Sequence, residues 1–510
     1  MSRFNLIDEP WIPVRRKDGS FAELGIKEVL LTAKELSGIE DPSPLVVASL
    51  YRFLLAVLYR ALEGPTDIDQ AKVLFRDGLP ADRIGAYLEK WRDRFWLFDE
   101  KYPFGQIPDF EPKIWRAWTV LAAENNADNA KVLFDHEDVE NVSSISEAKA
   151  ARGILATQTF SVSCGKSELS HTKTAPSATA MIIVPIGQNL SDTLTMSLTP
   201  QARAISLHDR ALWEAPPESI PVLANDPARV IAGIADRYTW RTRTIRLRGA
   251  DDGIRKVAFA SGIEADNQGE TVDPMLAFKV HEKFGKMPTQ FSDRGLWRDF
   301  DSLLPDDSGL APGVVEHSIV LSRRSPERRP RALLVLGQLN AKGKANVIFW
   351  RQEMFVLPLA IFGEAPIRGA IRGLLDIAAE AQKAMYSASR QFARDRLSRG
   401  EREPATGDIK AFVSQLPGTP AYWSILETRF QEILHAYTLD ADPDAIEHQW
   451  LSFVRSALKD AWQLQKNSVS GGDAWTLRAL VKAEAPILRK LAELNSTLKE
   501  YQNQQPEENG

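Results

Sequence analysis

The sequence predicts an α+β protein: a large mixed α/β amino-terminal domain over residues 1–365, followed by a four-helix bundle over residues 366–502. The first part mixes short apolar runs, typical of strands, with helical patterns. Beyond about Pro366, apolar residues recur three and four positions apart, which is the spacing of packed helices. The polar residues 503–510 predict a disordered tail. A chain of 510 residues is long enough to build several domains with large cores.

The composition is that of an ordinary globular protein, with 44% hydrophobic and 26% charged residues and a formal net charge of −5. A protein that coats nucleic acid by bulk charge is basic, so any nucleic-acid contact here must come from local patches. The one cysteine, Cys164, excludes an internal disulfide and a thiolate zinc site. We expect a cytoplasmic protein with no signal peptide and no bilayer-spanning segment.

The first predicted element is Phe4–Val14, with the sequence FNLIDEPWIPV. Two short apolar runs flank an acidic turn that contains Pro10. Side chains such as Leu6 and Trp11 require a core, because leaving them in water forfeits the free energy of burial. The segment is therefore predicted to form a buried β-hairpin or a paired sheet edge.

A long buried helix is predicted from Pro44 to about Ala61, because Ser43 supplies a hydroxyl cap and proline is favoured in the first turn. A second helical pattern covers residues 83–95. The next segment, Phe95–Gln106, reads FWLFDEKYPFGQ. Its clustered aromatic residues predict core packing, since aromatic side chains bury large apolar areas.

The middle of the chain carries the strongest loop signals. Residues 143–177 are rich in serine, threonine and alanine, which predicts a long loop region. A long loop inside a compact domain is usually functional or disordered. A buried strand is predicted at residues 180–185, and residues 302–331, rich in proline, glycine and arginine, predict an exposed basic connection.

Two features in the second half of the mixed domain suit nucleic acid. Basic residues alternate between Tyr238 and Lys256, which predicts a strand with one basic face. The arginines that this face offers to phosphate groups are Arg241, Arg243, Arg246 and Arg248. Two further apolar strands, residues 332–336 and 347–350, flank a break that contains glycine and asparagine, and they predict a hairpin.

Four helices are predicted in the bundle. The first starts soon after Pro366, and the others start near Thr419, Asp442 and Asp473, where capping residues precede apolar periodicity. Pro486 should kink or split the fourth helix, because proline lacks the backbone N–H that the helix requires. Four helices with loops between them favour a four-helix bundle.

Arg390 and Arg394 lie one helical turn apart on the first bundle helix and predict a basic ridge. Such a ridge is suited to phosphate contacts. The alternative is a solvated face whose charge is balanced by Asp395, Glu401 and Glu403. The sequence leaves both interpretations open.

No catalytic constellation is recognisable in the sequence. The seven histidines are scattered, without the spacing of helical metal ligands, so neither a metal nor another cofactor is expected. Residues 165–167, Gly-Lys-Ser, resemble the end of a phosphate-binding loop, but Phe160 occupies the position that requires glycine. We therefore expect no enzyme. A hydrolase with a dispersed site stays open, because a catalytic triad need not be local in sequence.

The opening string FNLIDEPWIPV and the aromatic stretch ending in PFGQ resemble the CasA family, the large subunit of the type I-E CRISPR Cascade surveillance complex. The loop-rich middle, the strand-rich centre and the terminal bundle follow in the order of that family. The resemblance implies a subunit with no enzymatic role that holds the 5′ handle of the guide RNA. It also implies reading of a short flanking motif in double-stranded target DNA, help in strand separation, and recruitment of a helicase–nuclease.

The resemblance further implies three loops that contact nucleic acid. The first docks near the RNA handle and the flanking motif, and corresponds to Val132, Leu133, Phe134 and Asp135. The second is a glycine loop close to the DNA backbone, and corresponds to Ser163, Cys164, Gly165 and Lys166. The third is a hairpin that wedges into the duplex, and corresponds to Gly343, Lys344 and Ala345. A lysine that probes the motif in relatives has no clear match in this sequence, and Arg255 and Lys256 are the candidates to substitute for it.

Departures from the family pattern imply a different or looser motif preference. Gly165 is the one glycine that remains of the glycine loop. Lys344 stands where some relatives have glutamine, so a positive charge replaces the amide that would read the bases. Some relatives carry a central cysteine cluster, which this chain lacks, so the resemblance implies no zinc site here.

Two other classes of protein remain as alternatives. One is a scaffold whose bundle binds protein partners and whose loops do not contact DNA, and the other is the dispersed-site hydrolase. Charge reversal at Lys344 and Lys166 separates the DNA-reading subunit from the scaffold, because only the former loses DNA binding. None of the three hypotheses involves a membrane.

Overall fold

The computed structural model describes residues 4–122, 143–162, 168–169, 174–250, 253–266, 272–283, 285–292, 294–323, 325–340, 347–362, 367–469 and 473–504. The chain forms two compact units. The first unit contains Met1–Leu296 and Ser302–Phe355, and the second contains Trp297–Asp301 and Val356–Gly510. The first is mixed α/β and the second is helical, which confirms the predicted fold class.

The strands build several small sheets rather than one large one. They are β1 (Ile12–Arg16), β2 (Phe21–Leu24), β3 (Leu36–Ile39), β4 (Arg116–Ala117), β5 (Ile182–Ile186), β6 (Ala228–Val230), β7 (Arg243–Ala250), β8 (Gly253–Ser261), β9 (Glu264–Asp266), β10 (Phe278–His281), β11 (Gly285–Pro288), β12 (Ala332–Asn340) and β13 (Val347–Val356). Three sheets have the strand orders β2-β1-β3, β4-β8-β7 and β13-β12-β5, and β10-β11 and β6-β9 form pairs. The predicted hairpin is confirmed, since β12 and β13 are neighbours.

The helices of the first unit are α1 (Ile26–Leu31), α2 (Pro44–Leu62), α3 (Ile68–Asp77), α4 (Ala81–Lys90), α5 (Glu147–Phe160), α6 (Leu190–Ser197), α7 (Arg203–Ser206), α8 (Ile220–Ala224), α9 (Ile234–Tyr238) and α10 (Gly313–Ser322). Those of the second unit are α11 (Ile367–Ser398), α12 (Thr406–Ser414), α13 (Gly418–Ala436), α14 (Pro443–Val469), α15 (Ala474–Ala483) and α16 (Ala485–Gln504). The helix predicted at 83–95 is α4, which ends at Lys90 and is followed by a short 3-10 turn.

Helix α2 is the central helix of the first unit's core, as its sequence predicts. Pro44 occupies the first turn, and the Ser43 side chain accepts a hydrogen bond from the Val46 N–H at 3.4 Å. Of the residues that the structure describes, this helix alone is long and apolar enough to cross a membrane, but 94% of its most apolar window is buried inside the protein. Its apolar surface is thus satisfied by the core.

The opening segment and the aromatic stretch bind each other. The Leu6 N–H donates to the Phe95 carbonyl at 2.9 Å, and the Leu97 N–H donates to the Phe4 carbonyl at 2.8 Å. The first apolar run is therefore a paired edge, whereas the second run enters β1, which pairs with β2 and β3. Phe104 stacks on Phe95 with ring centroids 5.6 Å apart, so the aromatic residues pack in the core as predicted.

Two helices occupy segments that the sequence predicts to be loop or exposed connection. Helix α5 lies inside the serine- and alanine-rich region, where Ser146 accepts a hydrogen bond from the Lys149 N–H at 3.2 Å and acts as its cap. Alanine is the strongest helix former, so the same composition also suits a capped helix. Helix α10 lies within 302–331 and buries Val314 and Val315 completely, so this part of the predicted exposed connection is core.

The second unit contains four long helices, α11, α13, α14 and α16, and two short ones, α12 and α15. The break that Pro486 predicts is confirmed, since α15 ends at Ala483 and α16 begins at Ala485. The Trp450 indole N–H on α14 donates to the Leu374 carbonyl of α11 at 2.7 Å. Helix α12 was not predicted from the sequence, because its nine residues offer little apolar periodicity.

The buried histidine His317 on α10 predicts a pH dependence of stability. Burial lowers its pKa from 6.5 to about 4, against hydrogen bonds to the backbone of Thr195 and Leu198 that raise it. Between pH 6.5 and 4 the unfolded chain therefore binds a proton that the folded chain does not, and stability falls as the pH falls. We expect a loss of about 3 kcal/mol at this site, measured as a melting-temperature decrease that His317→Gln reduces. Equal pH dependence of both proteins would contradict this.

Candidate nucleic-acid interface

The three predicted loops lie outside the described residues: residues 132–135 within 123–142, residues 163–166 within 163–167, and residues 343–345 within 341–346. The structure describes the residues that lead into and out of these segments, which we call the roots of the loops. The first root comprises residues 118–122 and 143–145, the second residues 161–162 and 174–175, and the third the ends of β12 and β13 at Asn340 and Val347.

The first root is closed by hydrogen bonds between its two sides. The Trp118 indole N–H donates to the Ser143 carbonyl at 2.8 Å. Ile145 forms an antiparallel bridge with Ile254 at the start of β8, with backbone hydrogen bonds of 3.0 and 2.9 Å. Both sides of the first root therefore lie together, beside β8.

Glycine is required where β8 meets the first root. Gly253 has φ = +111°, a conformation that residues with a side chain rarely adopt. A Cβ atom at this position would lie 2.8 Å from the Ile145 carbonyl oxygen and 3.0 Å from the Ser144 Cβ. The absence of a side chain thus allows the backbone of the first root to lie directly against β8.

The second root is closed in the same manner. The Ala175 N–H donates to the Ser161 carbonyl at 2.8 Å, so the chain returns to the point from which it left. The Arg243 guanidinium donates to the Val162 carbonyl at 2.7 Å and ties this root to β7. Residues 161–162 and 174–175 therefore form a fixed base on β7.

Helix α5 connects the first two roots and is held on β7. Its 14 residues span ~21 Å from one root to the other. The buried Gln158 side chain donates to the Arg243 carbonyl at 2.9 Å and accepts from the Arg243 N–H at 2.8 Å, as a neighbouring strand would. Because both ends of the amide are satisfied, α5 has a defined position against the sheet.

The third root lies beside the second. Gln338 on β12 is fully buried, and its side-chain amide donates to the Phe160 carbonyl, the last residue of α5, at 2.8 Å. Asn340 ends β12 two residues later. One hydrogen bond therefore joins the base of the hairpin to the base of the second loop.

Arg255 and Lys256 are exposed on β8, directly after the Ile254 bridge to the first root. Lys256 is opposite Ala117 on β4 and Arg248 on β7 in the strand register. The two residues that the sequence offers as the motif-probing cation thus lie beside the first root. Whether they read DNA stays a prediction.

The basic strand is not the uniform phosphate surface that its sequence predicts. Arg241 and Arg243 are 8% and 4% exposed, and Arg241 pairs with Glu218 at 2.7 Å. A buried guanidinium is tolerated because carbonyls and a carboxylate satisfy it, so these two arginines fix the fold and do not face phosphates. Arg246, which pairs with Glu111, and Arg248 retain accessible surface.

A cleft of about 640 Å³ lies where Arg246 and Arg248 reach the surface. The Arg248 guanidinium lies 5.2 Å from the centroid of the Trp115 ring, which also lines the cleft. Glu100 and Glu111 contribute opposite charge to the same walls. With charges of both signs, the cleft offers no uniformly basic surface to a duplex backbone.

The predicted basic ridge lies on α11, where Arg390 and Arg394 are exposed. The Arg394 guanidinium pairs with the Glu403 carboxylate at 2.7 Å. Glu403 is one of the acids that balance the charge in the alternative interpretation, a solvated helix face. Exposed pairs of this kind contribute little stability, so Arg394 can exchange its partner. A nucleic-acid role for this pair of arginines stays a prediction.

A buried ion pair that the sequence did not indicate lies next to these segments. Arg52 on α2 pairs with Asp273, and each is 2% exposed. Asp273 also accepts hydrogen bonds from the Ser177 hydroxyl and the Tyr238 hydroxyl, both at 3.3 Å. Burial lowers the pKa of Arg52 to about 10, so the guanidinium still carries its charge at neutral pH. Because Ser177 lies just after the second root and bonds to Asp273, the pair links helix α2 to the chain that follows this root.

Over the ranges that the structure describes, no three histidine, cysteine, aspartate or glutamate side chains converge as metal ligands. Cys164 lies outside those ranges. Sequence reasoning missed Gln158 and Gln338. The sequence signal that could have found them is an amide side chain within an otherwise apolar run, as at Gln338 in β12. A buried amide in such a run must bond to a backbone group.

Comparisons with known proteins agree with this architecture. The family model of CRISPR-associated protein Cse1 matches residues 5–461. The CRISPR-associated protein CasA/Cse1 of Thermus thermophilus is 33% identical over 517 residues, covering 98% of this chain and 99% of that protein. The structure of Thermus thermophilus CasA (Cse1) superimposes with a TM-score of 0.83 at 30% identity, covering 97% of this chain and 100% of that one.

A chain of a structure described as a CRISPR RNA-guided surveillance complex has a TM-score of 0.72 at 19% identity, covering 95% of this chain and 99% of that one. At that identity the likeness shows a shared fold. The fold of this chain, a mixed α/β unit and a helical unit, is therefore that of a class of CRISPR-associated proteins. The chain belongs to the Cse1 family, and the resemblance to CasA is confirmed.

Proposed function

We propose that this chain is the non-catalytic large subunit of a type I-E Cascade complex. In that role it recognises a short motif that flanks the target in double-stranded DNA, helps separate the strands, and recruits the helicase–nuclease. Its partners are the target duplex, the 5′ handle of the guide RNA and the other Cascade subunits, in the cytoplasm. Base pairing with the guide reads the target sequence, and this chain reads the flank.

The observation that carries the proposal is the common frame of the three loop roots. Helix α5 links the first and second roots over ~21 Å, a distance that corresponds to about six base pairs of duplex. Gln338 binds the third root to the end of α5. Three roots held in one frame suit simultaneous contact with one face of a duplex.

The charge at the frame supports the same assignment. Arg255 and Lys256 are exposed beside the first root, and the sequence has Lys166 and Lys344 in the second and third loop segments, whereas the first segment, residues 123–142, is acidic. A chain with a net charge of −5 has no bulk attraction for DNA, so binding must depend on such local cations. This favours recognition of a short motif over non-specific coating.

The experiment uses a guide-loaded complex that lacks this subunit, with and without the purified chain, on target duplexes with randomised flanks. We expect a gel shift at fixed salt to show binding restored by the chain and enrichment of particular flanks among the bound duplexes. Fixed salt is required because phosphate contacts make affinity strongly salt-dependent. Binding that is indifferent to the flank, or to the presence of the chain, would favour the scaffold instead.

A further inference from the structure

Three exposed aliphatic side chains form a line on the last two helices. Val481 is 74% exposed, Leu488 57% and Leu477 49%. Spacings of four and seven residues place them on one side of a helix. Glu484, at the break between α15 and α16, keeps right-handed helical dihedrals of φ −72° and ψ −22°, so the line continues across it. Leu477 and Leu488 are 11 positions apart, which is ~16 Å along the helix.

The line lies on the side of the two helices that meets α14, because Glu484, seven residues after Leu477 and four before Leu488, shares that side. The Glu484 carboxylate accepts hydrogen bonds from the Trp462 indole N–H at 2.9 Å and from Lys466 at 2.8 Å. Further along, the Arg455 guanidinium donates to the Asn495 side chain at 3.2 Å. These bonds hold α14 beside α16 and beside Glu484, the residue that joins α15 to α16. We call this surface the carboxy-terminal groove, residues 455–466 and 477–495.

Cations flank the aliphatic line on both sides. On the outer side each aliphatic residue is followed by an exposed cation, which gives Arg478, Lys482 and Arg489. On the α14 side the cations recur four and seven residues apart, which gives Arg455, Lys459 and Lys466. Lys466 is neutralised by Glu484, and Arg455 bonds to a neutral amide. The groove is therefore an apolar strip between an outer basic rail and an α14 rail whose positive charge comes from Arg455 and Lys459.

We propose that the carboxy-terminal groove binds an acidic amphipathic helix of another protein in the complex, an inference that rests on the proposed function. Helices dock into grooves through apolar anchors spaced three, four and seven residues apart, which is the spacing of Leu477, Val481 and Leu488. Basic rails on both sides require aspartate or glutamate on both flanks of that helix. About three helical turns fill the line.

The same features disfavour other occupants. Nucleic acid is bound by cations together with aromatic stacking or groove contacts, and an aliphatic strip between the rails gains nothing from a phosphate backbone. A second copy of this chain related by a twofold axis would bring basic rail against basic rail, which is repulsive. Charge complementarity therefore selects an acidic protein helix.

The first test is a site-specific crosslink in the complete guide-loaded complex, assembled from purified proteins and the full chain. Val481 is replaced by p-benzoylphenylalanine, and Thr428, exposed on α13 outside the groove, is replaced likewise as the matched control. We expect the Val481 crosslink to fall on a helical peptide with acidic residues on both sides of an apolar line. A crosslink to nucleic acid, to a second copy or to a non-acidic segment overturns the inference, as does a yield no higher than the control.

The second test reverses the outer rail with Lys482→Glu and Arg489→Glu, against Lys383→Glu and Lys410→Glu as a control of equal charge change. We expect the rail variant to be retained in the complex about tenfold more weakly than the control, since rail charges steer and fix the partner. The rail variant and the control variant both change exposed residues only, and a melting temperature equal to that of the wild-type protein verifies that each is folded. If the rail variant is retained in the complex and selects flanks as well as the control does, the proposal for the groove is wrong and the proposed function is unaffected.

If the wild-type complex does not select flanks, the proposed function is wrong. The crosslink from Val481 tests the groove independently of that result.

Discussion

Lys344→Glu is expected to weaken binding of the target duplex by the complete complex at least about tenfold, because a lysine that contacts phosphate or the minor groove becomes a repelling carboxylate. Lys166→Glu acts in the same direction. The loss should shrink as salt increases, since screening weakens attraction and repulsion alike. A gel shift or filter-binding titration at several salt concentrations measures both effects, and the salt dependence of affinity should fall by about one ion per lost contact.

The matched control is Lys72→Glu on α3, which carries the same change in charge and loses only an exposed pair with Asp69. An exposed pair of this kind is worth little to stability. If Lys72→Glu weakens binding as much as Lys344→Glu does, bulk electrostatics account for the loss. If neither variant changes binding, the hairpin does not contact DNA, and the scaffold hypothesis gains.

Asp273→Ala is expected to destabilise the first unit by about 3–5 kcal/mol, because it leaves the Arg52 guanidinium buried without its counter-charge. Ser177 and Tyr238 lose their acceptor at the same time. The melting temperature of the first unit should fall by at least about 6 °C, as a calorimetric scan would measure. In a chain of two units the transition of the first must be resolved from that of the second.

The double variant Arg52→Met with Asp273→Leu is the control for this prediction. Replacing both charges by apolar groups removes the unpaired guanidinium, so we expect it to be more stable than Asp273→Ala alone. A double variant as unstable as the sum of the two single variants would show that the charges act independently. That result would contradict a coupled buried pair.

The elements predicted correctly are those whose local signals agree with their packing. In α2, the cap at Ser43, the proline at Pro44 and a continuous apolar run all indicate the same helix, and the core buries it. The break at Pro486 follows from one missing N–H, a property that no tertiary contact restores. Consistency between local and global preferences is what makes such elements predictable.

The site was predictable only in part, because its frame depends on long-range contacts. Composition marked the α5 region as a loop, whereas packing of its alanines made it a helix. The alternation of basic residues in the sequence predicted that Arg241 and Arg243 form an exposed basic face. In the structure both are buried, where Arg241 pairs with Glu218 and Arg243 donates to the Val162 carbonyl. Partners remote in sequence decide whether a charged residue is buried, and a local pattern does not contain them.

The most direct test of the account uses a fluorescent adenine analogue at the first target base pair beside the flanking motif. Separation of the strands unstacks this base and raises its fluorescence. If this chain reads the flank and opens the duplex, fluorescence rises when the complete complex binds, and does not rise when this chain is omitted or the flank is scrambled. A rise of equal size without the chain, or with the scrambled flank, would contradict the proposal that this chain reads the flank and opens the duplex.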